Sequence, residues 1–224
     1  MQDDRTQQHR HRFRAVLFDF DGTLADSYPA ITASVNHVRG LHHLSPLSES
    51  EVRHHVGRGA TYLLEHTVGP GDQQANLAAY RAHHPTVLRS GTALLPGAAD
   101  ALRMLHERRL RLGVCSNKPV AFTHQLLDIL DMAKYFDVVL GPESVRHPKP
   151  APDMLQEAQR QLGIPSSQIL YIGDMTVDIQ TARAAGLTVW VVATGSDTHD
   201  VLVQAKPDRL LSSLHELPAL IAGD

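Results

Sequence analysis

Short unbroken apolar runs alternate with apolar residues at helical spacing along most of the chain. Residues 15–18 (Ala-Val-Leu-Phe) are such a run, closed by the glycine turn at Gly22. A continuous apolar run bounded by a turn signal predicts a strand buried on both faces. Further strands are predicted over 112–115, 136–140, 169–172 and 189–192. Helices are predicted over 98–109, 122–130, 178–185, 197–205 and 214–221, and after Pro150-Ala151-Pro152, with Gly163 and Gly186 as stops. The alternation predicts an α/β fold, a doubly wound and mainly parallel Rossmann-like sheet.

The alternation is interrupted once. Residues 28–93 carry helical spacing and no strand signal of comparable strength. Ser48 and Glu51 fit a capping box, and Gly57-Arg58-Gly59 and Gly69-Pro70-Gly71 are predicted breaks. The expected organisation is a flexible tail over 1–12, a core over 13–27 and 94–224, and a small inserted helical domain over 28–93.

With 224 residues and 42% hydrophobic residues the chain can bury a sizeable core, and with 5% aromatics that core should be aliphatic. A net charge of −3 argues against a general nucleic-acid or anionic-membrane binder. Cys115 is the single cysteine, so no internal disulfide forms, which fits a reducing, cytoplasmic compartment. The N-terminus lacks the apolar stretch of a secretory signal, and no run of apolar residues is long enough to span a membrane. The 15 histidines include the adjacent pairs His42-His43, His54-His55 and His83-His84, with His9 and His11 near the start. Neighbouring residues on a helix point about 100° apart, so these pairs read as solvated surface histidine and not as a zinc site.

The candidate chemistry collects at strand ends. Asp19 and Asp21 follow the first strand, where open α/β sheets bind ligands. Two like charges leaving an apolar strand need an offsetting cation, and oxygen donors suit a hard divalent one. A calcium loop would need further oxygen ligands, and Leu24 and Ala25 do not supply them. Ser116 ends the second predicted strand, Lys149 follows the third, and Asp174 and Asp178 follow the fourth. Taken singly, Ser116 could be a helix cap, Lys149 a solvated lysine, and the two acids first-turn decoration. Together, on one edge of a parallel sheet, they suit a metal and a phosphoryl group.

Asp19-Phe20-Asp21-Gly22-Thr23-Leu24, Ser116-Asn117, Lys149 and Gly173-Asp174-Met175-Thr176-Val177-Asp178 resemble, in order, the four motifs of the haloacid dehalogenase-like hydrolase superfamily. The surrounding residues, Asp26-Ser27, Gly57-Arg58-Gly59-Ala60, Ser116-Asn117-Lys118-Pro119 and His147-Pro148-Lys149-Pro150-Ala151-Pro152, are most similar to bacterial phosphoglycolate phosphatases. The resemblance implies that the helical insert is a cap over the site. It implies a nucleophilic Asp19, an acid–base Asp21 and an aspartyl-phosphate intermediate. Magnesium would be held by Asp19, the Asp21 carbonyl and Asp174, with Asp178 on the metal or just behind it. Phosphate would be held by Ser116, Asn117, Lys149 and the Gly22 turn, and Lys149 would also orient Asp19.

The expected substrate is a small phosphorylated metabolite, 2-phosphoglycolate foremost, with Arg58 reading its anionic end. Alternatives are a β-phosphoglucomutase-like mutase, a pyrophosphatase or another small-metabolite phosphatase. A dehalogenase would not need Asp21. A phosphonoacetaldehyde hydrolase would need a lysine in the insert, and Lys118, Lys134, Lys149 and Lys206 all lie outside it. A catalytically silent binding protein would be free to lose Asp19 or Asp174, and both stand. The expected state is a monomer or homodimer without nucleic-acid or membrane partners.

Overall fold

The computed structural model describes residues 12–69 and 71–223. The expectations for residues 1–11, His9 and His11 included, lie outside the described residues. Strand β1 (Ala15–Phe18) is followed by the two-residue β2 (Ala25–Asp26) and four helices, α1 (Tyr28–Leu41), α2 (Glu49–Arg53), α3 (Ala60–Thr67) and α4 (Gln73–Val87). The short β3 (Ala93–Leu94) then pairs antiparallel with β2, so the two chain crossings into the helical segment are stitched together. Helix and strand alternate from there: α5 (Ala98–Glu107), β4 (Arg111–Cys115), α6 (Val120–Ile129), β5 (Val138–Leu140), α7 (Asp153–Leu162) and β6 (Ile169–Gly173). The chain continues through α8 (Thr176–Ala185), β7 (Thr188–Val192), α9 (His199–Ala205), β8 (Arg209–Leu211) and α10 (Leu217–Gly223).

The main sheet has six parallel strands in the order β5-β4-β1-β6-β7-β8. Phe18 lies opposite both Val114 of β4 and Ile172 of β6, so β1 is central and its residues are fully buried. Side chains alternate between faces with period two. Val16, Phe18, Leu112, Val114, Leu170 and Ile172 join the core shared with α1, α5, α6 and α10. Ala15, Leu17, Ile169 and Tyr171 face the second core, with α7, α8 and α9. The connections turn back across β1, and an open sheet forms its ligand crevice at such a switch point.

Three features depart from the sequence reading. The main sheet gains a sixth strand, β8, whose three residues are too short to show a period. The β2–β3 ribbon is likewise invisible in the pattern. The final helix begins as a 3-10 turn over Leu214–Glu216 before α10.

In the helical segment α1 packs on α4 and α2. Ser48 and Glu51 form the expected capping box, and Asp72 caps α4 by accepting from Gln74 and Ala75 N–H. Between α2 and α3 the backbone at Gly57 adopts φ +102°, and a Cβ there would lie 2.2 Å from Met175 Sδ. Only glycine allows this loop to approach the core so closely. His84 corrects the surface reading of the histidine pairs. It is fully buried on α4, its Nδ1 meets Ser34 Oγ at 2.9 Å, and its ring stacks on Tyr80 and meets Phe122 edge-on. Burial, the nearby Lys118 and His83 push its pKa down to about 2, so the ring is neutral.

Candidate active site

Asp19 leaves β1 with its side chain almost completely buried. Its Oδ1 accepts from Phe20 N–H at 2.8 Å, and its Oδ2 lies 2.9 Å from Lys149 Nζ. The Lys149 ammonium also donates to Asp178 Oδ1 at 2.7 Å and to Tyr171 O–H at 3.0 Å. All three of its donors are thereby engaged. Burial opposes the lysine charge, but Asp178 and Asp19 outweigh it and hold the pKa above the usual lysine value.

Asp174 and Asp178 follow β6, and both are fully buried. Asp178 Oδ2 accepts from the N–H groups of Asp174 and Met175 at 3.1 and 3.0 Å, at the start of α8. Asp174 Oδ1 accepts from Thr23 Oγ1 at 2.7 Å, and Oδ2 accepts from Ser196 N–H at 3.2 Å. One oxygen from each of Asp19, Asp174 and Asp178 lies within 4.8 Å of the others. Burial, then the neighbouring Asp178 and Asp19, raise the Asp174 carboxyl well above the usual range. Three buried carboxylates with one lysine between them leave uncompensated negative charge, and the all-oxygen donor set fits a hard divalent cation.

Behind Asp174 runs the loop over residues 193–197. Thr194 Oγ1 donates to Gly22 O at 2.7 Å, and Thr176 N–H donates to Asp197 at 2.6 Å. A Cβ on Gly195 would lie 1.5 Å from Asp174 Oδ2. From the helical segment, Arg53 on α2 donates to Thr194 O at 2.6 Å and to Gly195 O at 3.1 Å, and lies over the Tyr28 ring. The Tyr28 hydroxyl meets Ser196 Oγ at 3.1 Å.

Asp21 stands at the pocket edge, where Lys118 Nζ contacts both its oxygens at 2.9 and 3.0 Å and Ser27 Oγ donates to Oδ1. The pocket, about 40 Å³, is lined by Asp19, Asp21, Ser116, Asn117 and Lys118 on the core side. Ile31, Val56, Leu63 and Tyr80 of the helical segment face them, with Phe122 of α6 alongside. Ser116 is buried at the end of β4 and is not a helix cap, since α6 starts after Pro119.

The structure thus brings Asp19, Asp21, Ser116, Lys149, Asp174 and Asp178 to one edge of the sheet. Three of the expected ligand residues have other partners. The Gly22 N–H is spent on Ala25 O at 2.8 Å, so it closes the turn and does not serve an anion. The Asn117 side chain is also committed: Nδ2 donates to Gly57 O and Lys149 O, and Oδ1 accepts from Lys149 N–H. It braces the lysine loop against the helical segment and leaves no side-chain donor for phosphate. Arg58 is exposed, stacks over Tyr62, and lines a separate outer cleft of about 340 Å³ with Arg81 and Thr61. The sequence reading missed Lys118, Tyr171, Arg53 and the 193–197 loop. The loop follows β7, so the rule that placed the other strand ends on one edge extends to it.

A profile of the haloacid dehalogenase-like hydrolase family matches residues 16–192. Phosphoglycolate phosphatases of Salmonella typhi and Escherichia coli (strain K12) are each 34% identical to this chain over 232 aligned residues, covering 92% of both chains. A crystal structure of a predicted phosphoglycolate phosphatase from Haemophilus somnus 129pt superimposes with a TM-score of 0.89 at 25% identity. That match covers 93% of this chain and 98% of the other.

Proposed function

The chain belongs to the haloacid dehalogenase-like hydrolases and is a phosphatase, and from that premise we propose that it hydrolyses a small phosphomonoester, foremost 2-phosphoglycolate, with magnesium. The observation that carries the reading is the pairing of Asp19 with Lys149 beside the Asp174–Asp178 cluster, while Asp21 faces the same pocket. Asp19 attacks phosphorus and the P–O ester bond breaks. Asp21 gives a proton to the departing alkoxide oxygen. Asp21 then takes a proton from water, whose oxygen attacks the aspartyl-phosphate and releases inorganic phosphate with Asp19 restored.

Ser116 holds a phosphoryl oxygen, while Lys149, its three donors taken, contributes its positive charge beside the phosphoryl group and keeps Asp19 aimed. Asp19, the Asp21 carbonyl and Asp174 would hold magnesium, which supplies charge neutralisation for the phosphoryl group. Asp178 holds Lys149 and the start of α8 in place. Residues 28–93 serve as a cap that excludes water over a core formed by 13–27 and 94–224. No helix among the described residues is long and apolar enough to cross a membrane, and a cytoplasmic location is part of the proposal.

The outer cleft favours a second reading. Arg58 and Arg81 flank a space that lies beside the pocket and shares Gly59, Ala60, Asn117 and Pro119 with it as walls. A longer phosphoester with a distal anion would reach these arginines, and Arg58 would then set specificity for a longer ester than the short one the sequence suggested. A panel of phosphate esters ranked by kcat/KM, with and without chelator, decides between them. The primary reading expects 2-phosphoglycolate at the top and loss of all activity in chelator. A bisphosphorylated or longer ester ranking tenfold higher would overturn it in favour of the second.

A further inference from the structure

We infer that Lys118, and not Arg58, reads the carboxylate of a short substrate, using the ammonium donor that Asp21 leaves free. The inference rests on the 2-phosphoglycolate reading above and goes on to assign the residue that selects it.

The leaving group must sit against Asp21, under the helical segment. There the wall is apolar: Ile31, Val56, Leu63, Tyr80 and Phe122. A carboxylate placed among such side chains is costly unless a cation meets it. Lys149 has no donor left, because Asp19, Asp178 and Tyr171 take all three. Arg53 is turned away onto Thr194 O and Gly195 O. Arg58 and Arg81 are exposed in the outer cleft. His84, packed edge-on against Phe122 and not among the residues that line the pocket, is neutral.

Lys118 lines the pocket with its side chain 3% exposed, and among the described residues its ammonium hydrogen-bonds to one carboxylate, that of Asp21. An ammonium has three donors, so one remains after Asp21 takes two. In 2-phosphoglycolate one methylene separates the ester oxygen from the carboxylate. A donor already touching the acid that protonates this oxygen is therefore within reach of the carboxylate. A longer linker would carry its anion past Lys118 into the outer cleft. One lysine would then hold the acid and recognise the group next to the bond being broken.

The test compares 2-phosphoglycolate with ethyl phosphate, which has a methyl group where the other has its carboxylate. Disturbing Asp21 affects both esters, so the ratio of their kcat/KM isolates the carboxylate. One charged hydrogen bond predicts a wild-type ratio of about 10- to 150-fold. Lys118→Met should bring it close to one, Lys118→Arg should retain part of it, and Arg58→Ala should leave it unchanged. Binding is read separately from proton transfer through inhibition by 3-phosphonopropionate and propylphosphonate, whose Ki ratio should collapse in the same variant. If Lys118→Met does not fold, Lys118→Gln is read in the same way. Equal losses on both esters with an unchanged Ki ratio would reduce Lys118 to holding Asp21 and overturn the inference. So would collapse of the ratio in Arg58→Ala. A wild-type enzyme that cleaves p-nitrophenyl phosphate but treats both esters alike would overturn the carboxylate reading and the inference with it. Failure on every ester would overturn the phosphomonoesterase proposal itself.

Discussion

Gly195→Ala tests how tightly the 193–197 loop is clamped on the acidic cluster. The added Cβ would sit 1.5 Å from Asp174 Oδ2 and 2.1 Å from its Cγ, where ordinary contact begins at 3.4 Å. The two groups must therefore separate by nearly 2 Å. The loop cannot simply retreat, because Thr194 is bonded to Gly22 O, Arg53 holds two of the loop's carbonyls, and Asp197 accepts from Thr176 N–H. Turning Asp174 aside would break its bond from Thr23. Overpacking of this kind costs about 1–3 kcal/mol. For a chain of this size that is a fall of roughly 2–12 °C in Tm. Displacing groups that orient a metal ligand weakens metal binding about 10- to 100-fold. The assay is the magnesium dependence of p-nitrophenyl phosphate hydrolysis, alongside thermal unfolding with and without magnesium. A stably folded variant with the wild-type magnesium requirement and kcat would refute the clamp.

Other perturbations separate the parts of the site. Asp19→Asn should fold normally and lose more than about a thousandfold in kcat, and near-normal turnover would remove Asp19 as nucleophile. Activity should vanish in chelator, return with magnesium and be inhibited by calcium, whose looser shell misplaces the nucleophile; full activity after exhaustive dialysis into chelator would contradict this. Arg53→Ala should raise the magnesium concentration needed for half-activity about tenfold, with kcat recovered at excess magnesium, whereas an unchanged requirement would detach α2 from the metal seat. His84 is buried neutral, and its Nε2 has no hydrogen-bond partner among the described residues. The unfolded chain takes up a proton there below the ordinary 6.5, while the folded chain does so only near 2. Between these values the unfolded state binds more protons, so stability falls as pH falls. Near pH 5.5 this loss is about 1.4 kcal/mol. Urea denaturation near pH 7.5 and pH 5.5 should show that loss in the wild type and a correspondingly smaller pH dependence in His84→Phe, and equal dependence in both would place the acid sensitivity elsewhere.

The arrangement of acids and cations was partly legible before any coordinates. Apolar runs marked five of the six strands of the main sheet, and a parallel sheet puts their C-terminal ends on one edge. That was enough to gather Asp19, Asp21, Ser116, Lys149, Asp174 and Asp178, because strand-end position follows from local pattern. The three-residue β8 and the β2–β3 ribbon were not legible, since such short strands carry no period. The direction of a side chain beyond a strand end was not legible either. Lys118 reaches Asp21 across 97 residues, and Arg53 reaches Thr194 across 141. Arg58, placed at a glycine turn that suggested a ligand, instead stacks on Tyr62 in the outer cleft. The Gly22 N–H and the Asn117 amide were candidates for phosphate by type alone, and hydrogen bonds formed only in the folded chain engage both. Residue types and their period determined the sheet and the edge where chemistry collects. Tertiary packing decided which donors remain free to meet a substrate, because each polar group brought into the interior must find a partner there.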